Sequence, residues 1–193
     1  MSESEVTQKN NVAGNDIAGR DVNKIYSPTY NFNESQARVK YMAELLRKFK
    51  ADCDGNSQLK QFIDELDYYN SPIEGDIVGL EQKLKDGNRA AFIEFALRTK
   101  ERFFKKLLKY QFSESAQRIH IYLLASLESR FHNYIAPKLK ANYPAEEITS
   151  LIQDVLVKPL LAELDENLLH INETDINGML YFLTGNCHIK WTA

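Results

Sequence analysis

The chain has 193 residues, of which 44% are hydrophobic, and a formal net charge of −3 at pH 7. That length suits one domain with an appendage, and two full-size domains would be cramped. The negative balance argues against a general affinity for nucleic acid or anionic membranes, and no apolar run approaches the length of a membrane-spanning helix.

Ten Tyr and ten Phe supply bulk for a core and for an interface. Cys53 and Cys187 are the only cysteines, which gives no disulfide framework and points to a reducing compartment. Met1 to Asn10 are polar and acidic and lack the apolar segment of a secretion signal. The expected location is the cytoplasm.

Residues 1–32 differ in kind from the rest and read as an extended arm ahead of a helical domain at 33–193. Within the arm a five-residue unit recurs, NVAGN at 11–15, DIAGR at 16–20 and a decaying DVNK at 21–24. Val12, Ile17 and Val22 hold the same place in each unit, and Gly14 and Gly19 follow two residues after the first two of them. Small residues at fixed spacing suit a backbone that turns tightly and stacks on another backbone. So short a repeat cannot bury its own branched side chains. Val12, Gly14, Ile17, Gly19 and Val22 are therefore candidates for homo-oligomerisation, with several arms supplying one another's neighbours. Ile25 to Phe32, with Pro28, reads as linker.

Seven helices are expected from the apolar spacing beyond the arm. The first runs from Ser35 to Asp52 with Val39, Met42, Leu45, Leu46 and Phe49 on one face. Ser57 caps a second, carrying Leu59, Phe62, Ile63 and Leu66. A short third covers Ile77, Leu80 and Leu84 and stops at Gly87. A long fourth turns Phe92, Phe95, Ala96, Thr99, Phe103, Leu107 and Tyr110 to one side. Ser115 opens a fifth with Ile119, Leu123, Leu127, Phe131, Tyr134 and Ile135 inward, and Pro137 should kink or end it. A sixth runs from Ala145 through Leu156 and is disturbed at Pro159. Thr174 caps the last, which Gly185 ends. Cys187, Ile189 and Trp191 then alternate with His188 and Lys190, as in a short half-buried strand with Trp191 and Cys187 inward and His188 at the surface. The fold class is mainly α, a multi-helix bundle with an extended glycine-repeat N-terminal arm and a short C-terminal strand.

Charge is segregated along the chain. Residues 89–110 hold seven Lys or Arg against two Glu, and residues 145–175 hold eight acidic residues against one Lys. Basic and acidic helices lying side by side explain this, and a nucleic-acid surface on Arg98 to Lys109 is the alternative.

The motifs that could carry chemistry fail on their details. Gly14 and Gly19 have phosphate-loop spacing, but Arg20-Asp21 follow where Lys and a hydroxyl are required. Glu81-Gln82-Lys83 resembles a nuclease dyad, yet in a helix residues two apart diverge. His120, His132, His170 and His188 form no His-Glu-x-x-His pair. No cofactor, metal or catalytic residue is expected. Arg130, His132 and Tyr134 stand on an otherwise apolar helix and are either a satisfied polar edge of the bundle or, with His188 and Trp191, candidates for partner binding, since Arg and Tyr are favoured at interface hot spots.

Three stretches carry a resemblance: DIVGLEQKLK at 76–85, SAQRIHIYLLA at 115–125 running into RFHNY at 130–134, and GMLYFLTGNCHIKW at 178–191. Together they resemble the C-terminal domains of bacterial ABC-three-component conflict systems, the anti-phage systems related to Lamassu, over about residues 35–191. The resemblance implies a helical domain that couples an effector to a complex containing an SMC-like ATPase. Some 32 residues ahead of the helical region are too few for such an effector enzyme. The expectation is therefore a non-catalytic adaptor or regulatory subunit. Its expected partners are proteins, which the resemblance implies include an SMC-like ATPase complex, with nucleic acid reached only through the complex and no membrane.

Overall fold

Apolar residues at helical spacing account for seven helices among the described residues, two of them prolonged through a widened turn. A computed structural model of the chain describes residues 32–55, 64–71, 78–164 and 167–192. The glycine-repeat arm through Asn31, with Val12, Gly14, Ile17, Gly19 and Val22, and the expected cap at Ser57 lie outside the described residues. The helices are α1 (Phe32–Gly55), α2 (Asp64–Asn70), α3 (Leu80–Asp86), α4 (Ile93–Lys109), α5 (Glu114–Arg130), α6 (Ala136–Lys140), α7 (Ala145–Leu151), α8 (Lys158–Glu163) and α9 (Glu173–Gly185).

Neither proline breaks its helix. A π-turn at Phe131–Ile135 joins α5 to α6, and a second at Ile152–Val157 joins α7 to α8. Pro137 and Pro159 each stand at the second position after such a turn. Proline lacks an amide and its ring crowds the carbonyl four residues back, and a locally widened turn relieves both conflicts. Two caps also differ from expectation. Ser113, rather than Ser115, opens α5, accepting from the Ala116 amide at 3.3 Å. Asn172, rather than Thr174, opens α9 in a reciprocal box with Asp175.

The core is organised around α9. Ile176, Met179, Leu180, Phe182 and Leu183 are all buried, so the helix is apolar nearly all round and needs neighbours on every side. Those neighbours include α3, α4, α5 and α8, while α1 and α2 pack on α5. The α4–α9 crossing is the closest. A Cβ built on Gly178 would stand 2.4 Å from the Thr99 carbonyl oxygen and 2.9 Å from the Phe103 Cβ. Only a glycine permits that approach.

Three helices end in the same way. Arg89 N donates to the Leu84 carbonyl and Asn88 N to Lys85, Tyr143 N to Lys138 and Asn142 N to Leu139, and His188 N to Leu183 and Cys187 N to Thr184. These are Schellman closures, with Asn88 (φ 54°), Asn142 (φ 54°) and Cys187 (φ 68°) in the left-handed region. The third closure removes the expected C-terminal strand. Residues 187–191 are irregular, because period-two alternation needs extended backbone and Cys187 reverses the chain. His188 is consequently buried and Cys187 half-buried, the opposite of the alternating pattern, while Ile189 and Trp191 are buried as expected.

Candidate protein-interaction site

Helix α4 is apolar on two faces. Ala96, Thr99, Phe103 and Leu107 are buried against the core. Leu97, Phe104 and Leu108, spaced seven and four apart, form a second stripe that remains 42%, 42% and 38% exposed, and Phe112 beyond the helix end is 52% exposed. Phe95, expected inward, lies on the outer side too and only touches Tyr181 edge-on at 6.2 Å. The ring of Phe104 rests partly on Phe182, with centroids 6.4 Å apart.

The basic residues of α4 are shared among separate tasks. Arg98 pairs with Glu94 and Lys105 with Glu101 along the helix, both pairs fully in solvent and of small energetic weight. Arg102 and Lys106 converge on the wholly buried Asp175 at 3.2 and 2.5 Å, and Lys106 also donates to the His170 carbonyl at 2.8 Å. Lys100 lies against Gly185 with its pKa held down by burial and then by Lys83. Lys109 lies over the Tyr110 ring. The basic and acidic segments do meet, but at Asp175 rather than along whole helices.

Of the residues singled out in the sequence, His132 and His188 come together. The exposed His132 holds its Nε2 3.1 Å from the His188 carbonyl oxygen. The His188 ring is buried beside Tyr68 and Tyr69, at 4.9 and 5.3 Å, with Nδ1 3.6 Å from a Glu128 carboxylate oxygen. Burial first, and then the Glu128 charge, push the Tyr69 hydroxyl up to about 12. Arg130 is elsewhere. It is buried, and it donates to Glu163 at 2.5 Å while Tyr122 donates to the other oxygen of the same carboxylate at 2.7 Å. Tyr134, expected inward, is 42% exposed. Trp191 packs edge-on to Phe131 at 5.2 Å, donates to the Thr184 hydroxyl at 3.2 Å and lies under the Arg89 guanidinium at 4.7 Å.

Leu97, Phe104, Leu108 and Phe112 were missed as interface candidates, although their signal was present. Leu97, Phe104 and Leu108 share one helical stripe beside the core-facing one, with Phe112 following beyond the helix end, which makes α4 apolar over more of its circumference than burial against one neighbour requires. The nuclease-like Glu81 and Lys83 diverge as a helix demands. Glu81 is exposed, and Lys83 caps the end of α9, donating to the Thr184 carbonyl at 2.7 Å and to Cys187 Sγ at 3.0 Å.

Among the described residues no cluster of three or more His, Cys, Asp or Glu could hold a metal ion, and no helix is long and apolar enough to cross a membrane. His120 is sealed between Phe103 and Tyr110, and its pKa is lowered to about 4, by burial first and then by the Lys106 charge.

The profile of one family, described as C-terminal domain 9 of the ABC-three component systems, matches residues 79–191. The chain belongs to that family. The C-terminal domain 9 match takes in α3 to α9 and ends on Trp191, so the outer stripe of α4 and the Asp175 node fall inside it, as do His188, His132 and Glu128 but not Tyr68 and Tyr69. It starts three residues inside the first of the three resembling stretches and covers the other two completely. No curated protein and no solved structure matches the chain.

Proposed function

We propose that this chain is a non-catalytic adaptor or regulatory subunit of a bacterial anti-phage defence complex. It binds protein partners, among them an SMC-like ATPase, through its helical domain, and it self-associates through the N-terminal arm. The observation that carries the reading is the outer stripe of α4. A row of Leu97, Phe104, Leu108 and Phe112 exposed on one side of a well-packed helix is costly to leave in water and is the surface a partner element covers. Membership of a family of multi-component systems supports it.

The complex would be isolated from the native host through a tag on the full chain, with Phe104→Glu in parallel. Co-purification of an ATPase with the natural chain and its loss with Phe104→Glu supports the adaptor role. The arm is tested by the solution mass of the full chain against one starting at Asn33; equal masses would remove Val12, Ile17 and Val22 from any role in assembly. A nucleic-acid regulator has less support, because four of the six cations of Arg98 to Lys109 are paired with Glu94, Glu101 and Asp175. Steeply salt-dependent binding to mixed DNA would restore that alternative.

A further inference from the structure

Arg89 is buried, at 5% exposure, and no described carboxylate lies within ion-pair distance of it. Among the described residues its terminal nitrogens reach only the Thr149 hydroxyl and the Ala145 carbonyl, both at 3.4 Å, and its Nε has no partner. Its remaining company is aromatic, with Trp191 at 4.7 Å and Phe92 at 5.7 Å. A guanidinium carries five donors in a planar fork matched to carboxylate geometry, and burying one without an anion is unfavourable. Burial accordingly presses its pKa down.

Arg89 also lines an open pocket of about 420 Å³. Its lining includes two left-handed Schellman residues, Asn88 after α3 and Asn142 after α6. Leu139, Ile148 and Trp191 supply an apolar part of a wall that is otherwise polar. Asp86 stands at the edge, where its carboxylate accepts from Gln82 at 2.6 Å.

We propose that this pocket binds an organic carboxylate carrying an apolar group, with the carboxylate on the Arg89 fork and the apolar part against Leu139, Ile148 and Trp191. One cation beside a partly apolar wall, with an acid among the lining residues, suits a monoanion with an apolar group and disfavours a phosphate dianion, which takes several donors or cations. The end of a partner's polypeptide chain and a free organic acid share this chemistry. The site is separate from the outer stripe of α4 and stands or falls independently of it.

Trp191 is the sole tryptophan of the chain and lines this pocket, so ligand-induced changes in its fluorescence are read from one position. The full chain is titrated with N-acetyl-L-leucine, with its amide and with inorganic phosphate. The carboxylate should give a saturable change, and the amide should bind about tenfold more weakly for want of a charge-assisted pair. Arg89→Met should abolish the response. Ala145→Phe, an exposed rim position, should block entry while leaving the core untouched, and it keeps the test valid if Arg89→Met does not fold. A tripeptide Gly-Gly-Leu binding more tightly than N-acetyl-L-leucine assigns the site to a chain end, and equal binding assigns it to a free acid. An amide or phosphate as effective as the carboxylate, or a response unchanged by Ala145→Phe, would overturn the proposal.

Discussion

The two faces of α4 carry similar side chains and meet opposite fates. Inward, Ala96, Thr99, Phe103 and Leu107 close against α9 so tightly that a single Cβ at Gly178 has nowhere to go. Outward, Leu97, Phe104 and Leu108 offer a comparable apolar stripe to solvent. Hydrophobicity alone therefore does not distinguish core from interface. Shape does, because the inner face has a partner cut to it within the chain and the outer face does not.

The largest test of that contrast is Gly178→Val. Its side chain would strike backbone, which cannot rotate away as a lysine tip can, so α4 and α9 must part. The expected loss is about 4 kcal/mol or more, read by denaturant unfolding. The polar edge of the same crossing comes next. Asp175→Asn keeps a capping side chain for α9 but leaves Lys106 without its charge partner, and about 2–3 kcal/mol should be lost. A loss no greater than that of an exposed pair would show that Lys106 rehydrates freely.

His120, packed on Phe103 behind the crossing, gives a pH-dependent effect. Its folded pKa of about 4 is below the unfolded value near 6.5, so between these pH values the unfolded chain binds a proton that the folded chain refuses. Stability is then highest above pH 6.5 and falls as the pH drops through that window, by on the order of 2–3 kcal/mol near pH 4. His120→Phe should flatten this dependence relative to the natural chain. Parallel curves for the two proteins would mean that His120 takes up its proton without leaving the core.

Much of this arrangement was legible in the sequence, for particular reasons. The spacing of Met42, Leu45, Leu46 and Phe49, or of Ala96, Thr99, Phe103 and Leu107, specifies a buried helix face directly. The loss of the expected C-terminal strand was not foreseeable, since the alternation of Cys187, Ile189 and Trp191 is undone by one left-handed residue that is neither Gly nor Asn. The two π-turns were hidden as well, because proline announces a conflict with the helix but not how it is resolved. Arg130 and Arg89 show the limit most plainly. One has Glu163, 33 residues away in sequence, and the other has no acid among the described residues, and such pairing is a property of the fold rather than of neighbouring residues.

The claim that α4 presents an interface is tested most directly on its outer face. Phe104→Glu and Leu108→Glu should change the stability of the isolated protein by only about 1 kcal/mol, because each side chain is partly covered, Phe104 by Phe182, and neither belongs to the core. Each should nevertheless abolish recovery of the partner ATPase with the tagged chain, since a buried unpaired carboxylate in an interface core is strongly unfavourable. Recovery of the intact complex with both variants, at unchanged protein stability, would contradict the account.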